Sequence, residues 1–182
     1  MTLHVMSPEH VDFVTQCFVA RGFTIRDARD SAQEIIDVAM AYYDPIFFVG
    51  PSAENPRYFL GAYVDTNGRA YLAVGAQGHI GAALYQDAYD WLSYLLNDLN
   101  VKLIEAYTWI EDLQKEWFLR AIGFKKSGII PDKVDIPGRG PSTALSMYIR
   151  PSEFAAVSRQ SFRDTLKKYR QHRDKLRVKR AV

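Results

Sequence analysis

Arg69-Ala70-Tyr71-Leu72-Ala73-Val74-Gly75-Ala76-Gln77-Gly78-His79-Ile80-Gly81-Ala82-Ala83 is the stretch on which the reading of the chain turns. Residues 69 to 75 have the composition of a strand, the glycines interrupt it, and an apolar helical stripe follows at once in Leu84, Ala88, Trp91, Leu92, Leu95 and Leu99. A strand, a glycine loop and a helix in that order can aim successive backbone N–H groups at an anion, with Gly78, Gly81, Ala82 and Ala83 small enough for close approach. A glycine turn that merely closes a strand-to-helix connection is the other reading of the same residues.

Working outward, Tyr58 to Val64 is a second β-type run joined to the first through Asp65-Thr66-Asn67-Gly68, a hairpin turn, and Ile46 to Gly50 is a third. Before these, Thr2 to Met6 reads as a short strand. Ser7-Pro8 opens a helix that Gly22 ends near Arg21. Ile25, Ala28, Ala32, Ile35, Ala39 and Tyr43 then mark a second helix, stopped by Asp44-Pro45. Downstream, Val101 to Ile110 is a strand, Asp112 to Ile122 a short helix, and Gly123-Phe124 its stop. Lys125 to Ile130 and Thr143 to Arg150 are further strands, separated by the turn-rich Pro131 to Pro141. The pattern predicts an α/β (α+β) fold over residues 1–150, a mixed and mostly antiparallel sheet flanked by helices.

From Ser152 onward there is neither Gly nor Pro, while Phe154, Val157, Phe162, Leu166, Tyr169 and Leu176 keep helical spacing, so residues 151–182 read as one long amphipathic helix. Residues 159–182 carry ten Lys or Arg against Asp164 and Asp174, a net of +8. The rest of the chain, with 13 basic and 19 acidic residues, is −6. Such a split points to an acidic surface for the tail: the body itself, a protein partner or second copy, or nucleic acid. The apolar stripe favours docking, because a helix used for phosphates alone has no need of it.

The 182 residues are enough for one domain with a real core, and no stretch stays apolar long enough to span a bilayer. Together with an N-terminus that lacks a basic start and apolar run, this predicts a soluble, cytoplasmic protein with no membrane partner. Cys17, the single cysteine, sits among Val14, Phe18 and Val19 and reads as core. His4, His10, His79 and His172 show no metal-ligand spacing, so no metal is expected.

Trp117-Phe118-Leu119-Arg120-Ala121-Ile122-Gly123-Phe124, followed by Lys125-Lys126-Ser127-Gly128, resembles the short fourth helix and following strand of the GCN5-related N-acetyltransferase superfamily. The form with Phe-Leu before Gly-Phe is similar to acetyltransferase-like proteins of tailed bacteriophages, which would place the chain in host cytoplasm or a virion. The resemblance covers roughly residues 46 to 150. It implies an acyl-CoA, acetyl-CoA above all, bound at Val74, Gln77, Gly78, His79, Ile80, Gly81, Ala82 and Ala83. The family's signature there is Gln or Arg, two residues, Gly, one residue, then Gly or Ala. Aligned from Gln77, both Gln77 and Ala82 fit while Ile80 replaces the Gly; aligned one residue later, Gly81 and Ala83 fit while Gly78 replaces Gln or Arg.

The resemblance also implies a group that deprotonates an acceptor amine, since an ammonium cannot attack a thioester. Glu105, among Leu103, Ile104 and Tyr107, is the candidate base; a structural or solvent-facing carboxylate is the competing role. The family's general-acid tyrosine falls at Leu119, and Asp112 stands at its usual Asn position, where it also reads as an N-cap. Two functions therefore stand side by side. One is an acyl-CoA-dependent N-acetyltransferase acting on an unknown amine. The other is a non-catalytic bacteriophage virion or host-interaction protein that keeps the fold and assembles through its tail.

Overall fold

The computed structural model describes residues 2–26, 46–77, 82–155 and 157, with the isolated positions 34, 37, 164, 167 and 171. Eight strands form one sheet: β1 (His4–Val5), β2 (Thr24–Ile25), β3 (Phe48–Gly50), β4 (Tyr58–Val64), β5 (Arg69–Ala76), β6 (Leu103–Trp109), β7 (Lys125–Ile136) and β8 (Gly140–Ile149). Their order across the sheet is β1-β3-β4-β5-β6-β8-β7-β2. Every pairing is antiparallel except β5 with β6, which is parallel, as the connection through a helix requires. The helices are α1 (Val11–Arg21), α2 (Ala82–Ser93, continued by a wide turn over Tyr94–Asp98), α3 (Leu113–Ala121) and the short α4 (Pro151–Phe154).

Each helix buries the face that its sequence periodicity marks. Leu84, Ala88, Trp91, Leu92 and Leu95 of the α2 stripe are all buried, against Leu60, Ile104, Leu119, Met147 and Ile149 among others. Val14 and Cys17 of α1 pack on the opposite sheet face with Phe47, Val49, Phe59 and Ala73. Gly22 ends α1 in the left-handed region at φ 75°, its N–H bonded to the Val19 carbonyl. At Gly75 a Cβ would lie 2.4 Å from Phe59 and 2.8 Å from Cys17 Cβ, so the missing side chain is what lets α1 close onto β5.

Two buried polar groups tie the N-terminal segment down. Asp87 of α2 accepts from the Thr2 backbone N–H at 2.9 Å, from the Tyr58 hydroxyl at 2.7 Å and from the Thr2 hydroxyl. Burial and the Asp87 carboxylate both push the Tyr58 phenol well above its ordinary pKa, so Tyr58 is a permanent donor. His10 accepts the Ser7 N–H on Nδ1, which leaves Nε2 to donate to the Ala53 carbonyl at 3.0 Å.

Three sequence expectations change. Ile25 does not open a helix: Thr24 and Ile25 pair with Asp135 and Val134 of β7, and Ile25 is buried beside Phe23 and Val134. The remainder of that expected helix lies outside the described residues apart from Glu34 and Asp37, which are helical. The stretch from Pro131 to Pro141 is mostly strand. Register shifts at residues 126–128 and 130–134 absorb the extra chain, and the turn shrinks to Pro137-Gly138-Arg139. The helix expected from Ser152 is broken, since α4 ends at Phe154 and Val157 is coil, while positions 164, 167 and 171 are helical and the rest of the tail lies outside the described residues.

The break has a packing cause. Phe154 is buried against Tyr89, and the Tyr89 hydroxyl donates to the Val157 carbonyl at 3.1 Å. Val157 also sits against Gly123, whose hypothetical Cβ would meet it at 3.0 Å. The first turns after β8 thus belong to the packed body. No helix among the described residues is long and apolar enough to cross a membrane. Phe154→Ala should lower the unfolding free energy by about 3 kcal/mol in urea titrations, as expected for emptying a buried aromatic site.

Candidate functional site

β5 and β6 run parallel for three rungs, Arg69↔Leu103, Ala70↔Ile104 and Tyr71↔Glu105, and then part. The phase of hydrogen bonding on the other side of β5 follows from two bonds: Asp65 N–H to the Arg69 carbonyl and Gln77 N–H to the Arg57 carbonyl. Residues 69, 71, 73, 75 and 77 therefore bond toward β4, and the backbone groups of Leu72, Val74 and Ala76 point toward β6. Beyond Tyr71 no β6 residue is paired with them. They line a cavity of about 340 Å³.

The cavity passes through the seam and is walled from both sheet faces. Leu84 of α2 and Phe118 and Leu119 of α3 close one side, and Cys17, Ala20 and Arg21 of α1 with Phe23 and Ile25 close the other. Burial pushes the Cys17 thiol up to about 12, so Cys17 is an inert apolar wall rather than a nucleophile. Among the described residues, no three His, Cys, Asp or Glu stand together as metal ligands would.

Polar groups gather at the mouth, where α3 begins. Asp112 is its N-cap, Oδ1 accepting the Lys115 backbone N–H at 3.1 Å, while Oδ2 lies 2.8 Å from Lys115 Nζ. Lys115 Nζ also donates to the Arg21 carbonyl at 2.7 Å and rides over the Phe23 ring, so one side chain links α3 to the end of α1 across the cavity. Burial draws the Lys115 pKa down, and the Asp112 carboxylate opposes that.

Of the sequence-nominated residues, Val74 lines the cavity. Gln77 stands at the end of β5 with its amide donating to Gln16 Oε1 at 2.6 Å. Ala82 and Ala83 form the first turn of α2, Ala83 exposed. Gly78, His79, Ile80 and Gly81 lie outside the described residues. Glu105 occupies the last paired rung at the closed end of the seam, between Tyr71 on β5 and Tyr148 on β8, and is not one of the cavity's own walls.

Tyr107 joins the two. It lines the cavity and, two residues along β6, shares the Glu105 face of the strand. Burial first, then the charge of Glu105, raises the Tyr107 phenol pKa. The strand alternation alone places Tyr107 beside Glu105, whereas nothing in the sequence brings Arg21 to Lys115, 94 residues away.

No protein-family model matches the chain, and no curated protein matches it either. Solved structures do. A variant of spermidine N-acetyltransferase SpeG from Vibrio cholerae superposes with a TM-score of 0.67 at 18% identity, over 85% of this chain and 97% of that one. The fold is that of the N-acetyltransferases. The same Vibrio cholerae enzyme in complex with CoA and spermine gives a TM-score of 0.67 at 17% identity, over 85% and 97% of the two chains. The ribosomal-protein-S5-alanine acetyltransferase of Vibrio fischeri gives 0.64 at 9% identity, over 84% and 93%. Within that fold, the parting of β5 from β6 is what opens the cavity of this chain.

Asp112→Asn should keep the cap and lose the charge opposite Lys115, whereas Asp112→Ala loses both. Urea titrations should therefore show the alanine variant about 1 kcal/mol less stable than the asparagine variant, the worth of the cap itself.

Proposed function

We propose that the chain is an acyl-CoA-dependent N-acyltransferase, with acetyl-CoA as its acyl donor and an amine as acceptor. The observation that carries this reading is the open edge of β5, where Leu72, Val74 and Ala76 present backbone donors and acceptors to a cavity after the pairing with β6 has stopped. A pantetheine arm is an extended chain with amides of its own, and it can take the place of the missing strand. The walls fit it: Leu72, Val74, Leu84, Phe118 and Leu119 are apolar, and the volume is that of a small-molecule site. An acyl thioester held there would supply the acyl group. The V. cholerae enzyme solved with CoA and spermine lends support, since it shares this fold.

The chain's own residues divide the work. Gly78, His79, Ile80, Gly81, Ala82 and Ala83 lead into α2 and hold a pyrophosphate on backbone N–H groups, while the Gln77 N–H is taken by the Arg57 carbonyl and leaves Gln77 its side chain. Val74 and its neighbours orient the arm. Glu105 takes the proton from the acceptor ammonium, directly or through a water, and Tyr107, two residues along the same strand face, lines the cavity beside it. A second reading, a non-catalytic bacteriophage virion or host-interaction protein, is favoured by Leu119: an aliphatic wall stands where the family resemblance calls for a proton donor.

Calorimetric titration with acetyl-CoA and a thiol-release assay separate the two. Gly81→Asp should abolish binding by placing a carboxylate where the pyrophosphate sits. Glu105→Gln should leave the binding constant nearly intact and lower turnover by about 100-fold. Turnover unchanged in that variant removes Glu105 from the mechanism, and binding without turnover of any amine favours the non-catalytic reading.

The basic residues 159–182 dock on an acidic surface in either case. A chain ending at Ser158 keeps Phe154 and Val157, so its circular dichroism should retain the core signal. Its light-scattering mass should fall relative to the full chain at low salt, with the difference shrinking at high salt. Equal monomeric masses at both salts would remove self-association and leave a foreign partner, nucleic acid included.

A further inference from the structure

Leu103, Glu105 and Tyr107 share one face of β6, and the strand register fixes what stands beside each of them. Arg69 is paired with Leu103 and Tyr71 with Glu105 on the β5 side. On the β8 side Tyr148 is paired with Glu105, so Arg150, two residues further along, falls beside Leu103. Arg69 stands two residues from Tyr71 on the same face of β5, the Arg150 guanidinium lies 5.1 Å from the Tyr148 ring centroid, and Lys133 Nζ lies 5.5 Å from that of Tyr107.

Three cations thus stand around one carboxylate, and none of the three belongs to an ion pair among the described residues. Among the described residues, the acids nearby are shared with other partners. Glu153 holds Lys125 Nζ at 3.0 Å and the Arg150 backbone N–H at 3.1 Å, and Asp65 accepts the backbone N–H groups of Asn67 and Arg69. Asp65 and Glu105 act on Arg69 and Glu153 acts on Arg150 from beyond ion-pair distance, while the phenol rings orient Arg150 and Lys133.

We infer that the acceptor is an amine that also carries a carboxylate or a phosphate. Its ammonium meets Glu105 and Tyr107, next to the cavity, and its anion meets Arg69 and Arg150 on the far side of Glu105. Two residues along a strand separate those places, a span of about 6.8 Å. A polyamine would instead bring a second positive charge against Arg69 and Arg150, an arrangement that works against binding. The inference rests on the acyltransferase reading and deepens it by naming the class of acceptor.

The test uses the full chain with acetyl-CoA at low ionic strength and follows thiol release from hexylamine, diaminohexane, spermine, aminohexanoate and aminopropyl phosphate. The two anion-bearing amines should exceed hexylamine in kcat/KM by about fivefold, the worth of a partly exposed charge contact, and the diamine and spermine should fall below it. The comparison between the two anion-bearing amines tells carboxylate from phosphate. Arg69→Gln and Arg150→Gln should each bring the advantage over hexylamine toward unity. Calorimetric binding of aminohexanoate to the CoA-loaded protein should weaken in the same variants and with added salt, independently of turnover. Faster turnover of spermine or diaminohexane than of aminohexanoate, or an advantage and an affinity untouched in both variants, would overturn the inference while leaving the acyltransferase reading in place. An absence of CoA binding together with an absence of thiol release from every amine would overturn both.

Discussion

The seam between β5 and β6 is the constraint from which the rest follows. β5 is bound to β4 through seven rungs and β6 to β8 through six, but β5 and β6 share three. Each strand therefore belongs to its own half of the sheet, and the two halves are free to twist apart once the shared rungs end. Gly75 lets α1 settle on β5, which draws that strand toward the first half. Thr24 and Ile25, at the far edge of the second half, hold the chain after α1 against β7. A parallel pair that continued in the same register to Gly75 and Trp109 would satisfy more backbone groups and leave no room for a ligand. The gap is kept because packing on both sheet faces outweighs the few hydrogen bonds forgone.

What spans the gap is electrostatic and local. Lys115, with its counter-charge Asp112 on the same helix turn, reaches the Arg21 carbonyl and the Phe23 ring, so α3 and the end of α1 are joined at the mouth of the cavity. The closed end is set by the rung of Tyr71, Glu105 and Tyr148. A carboxylate in that place is half-buried, paired across the sheet with Tyr71 and Tyr148, and two residues along its strand from Tyr107 of the cavity wall. Its position one rung past the cavity suits proton removal from an amine approaching along the sheet face better than contact with a thioester.

Much of this was legible in the sequence, and the misses have physical reasons. The α2 stripe, the Asp65 to Gly68 hairpin and the Gly22 stop rest on local rules, and each stands in the fold. Ile25 misled because its spacing to Ala28 and Ala32 is helical, while its own burial depends on Val134, more than a hundred residues away. The stripe after Ser152 misled for a related reason: Phe154 and Val157 keep helical spacing yet are drawn onto Tyr89 and Gly123, and the helix breaks to reach them. For the site, Glu105 and Val74 could be picked out as residue types on strands, but which lines the cavity depends on where the β5–β6 pairing stops, a property of two half-sheets and not of either strand.

Leu119 bears on the chemistry less heavily than its place in the wall suggests. In acyl transfer from a thioester to an amine the two proton movements are unequal. An alkylammonium with a pKa of about 10.4 is neutral to the extent of roughly four parts in ten thousand at pH 7, so without a base the nucleophile is nearly absent. The leaving thiolate, with a pKa of about 8.5 for its acid, is a competent leaving group near neutrality and collects its proton from water afterwards. Loss of a dedicated acid thus costs far less than loss of the base. On the proposed acyltransferase reading, a seam that keeps Glu105 two residues from Tyr107 while lining its wall with Leu119 would retain the half of the apparatus that such a reaction needs most.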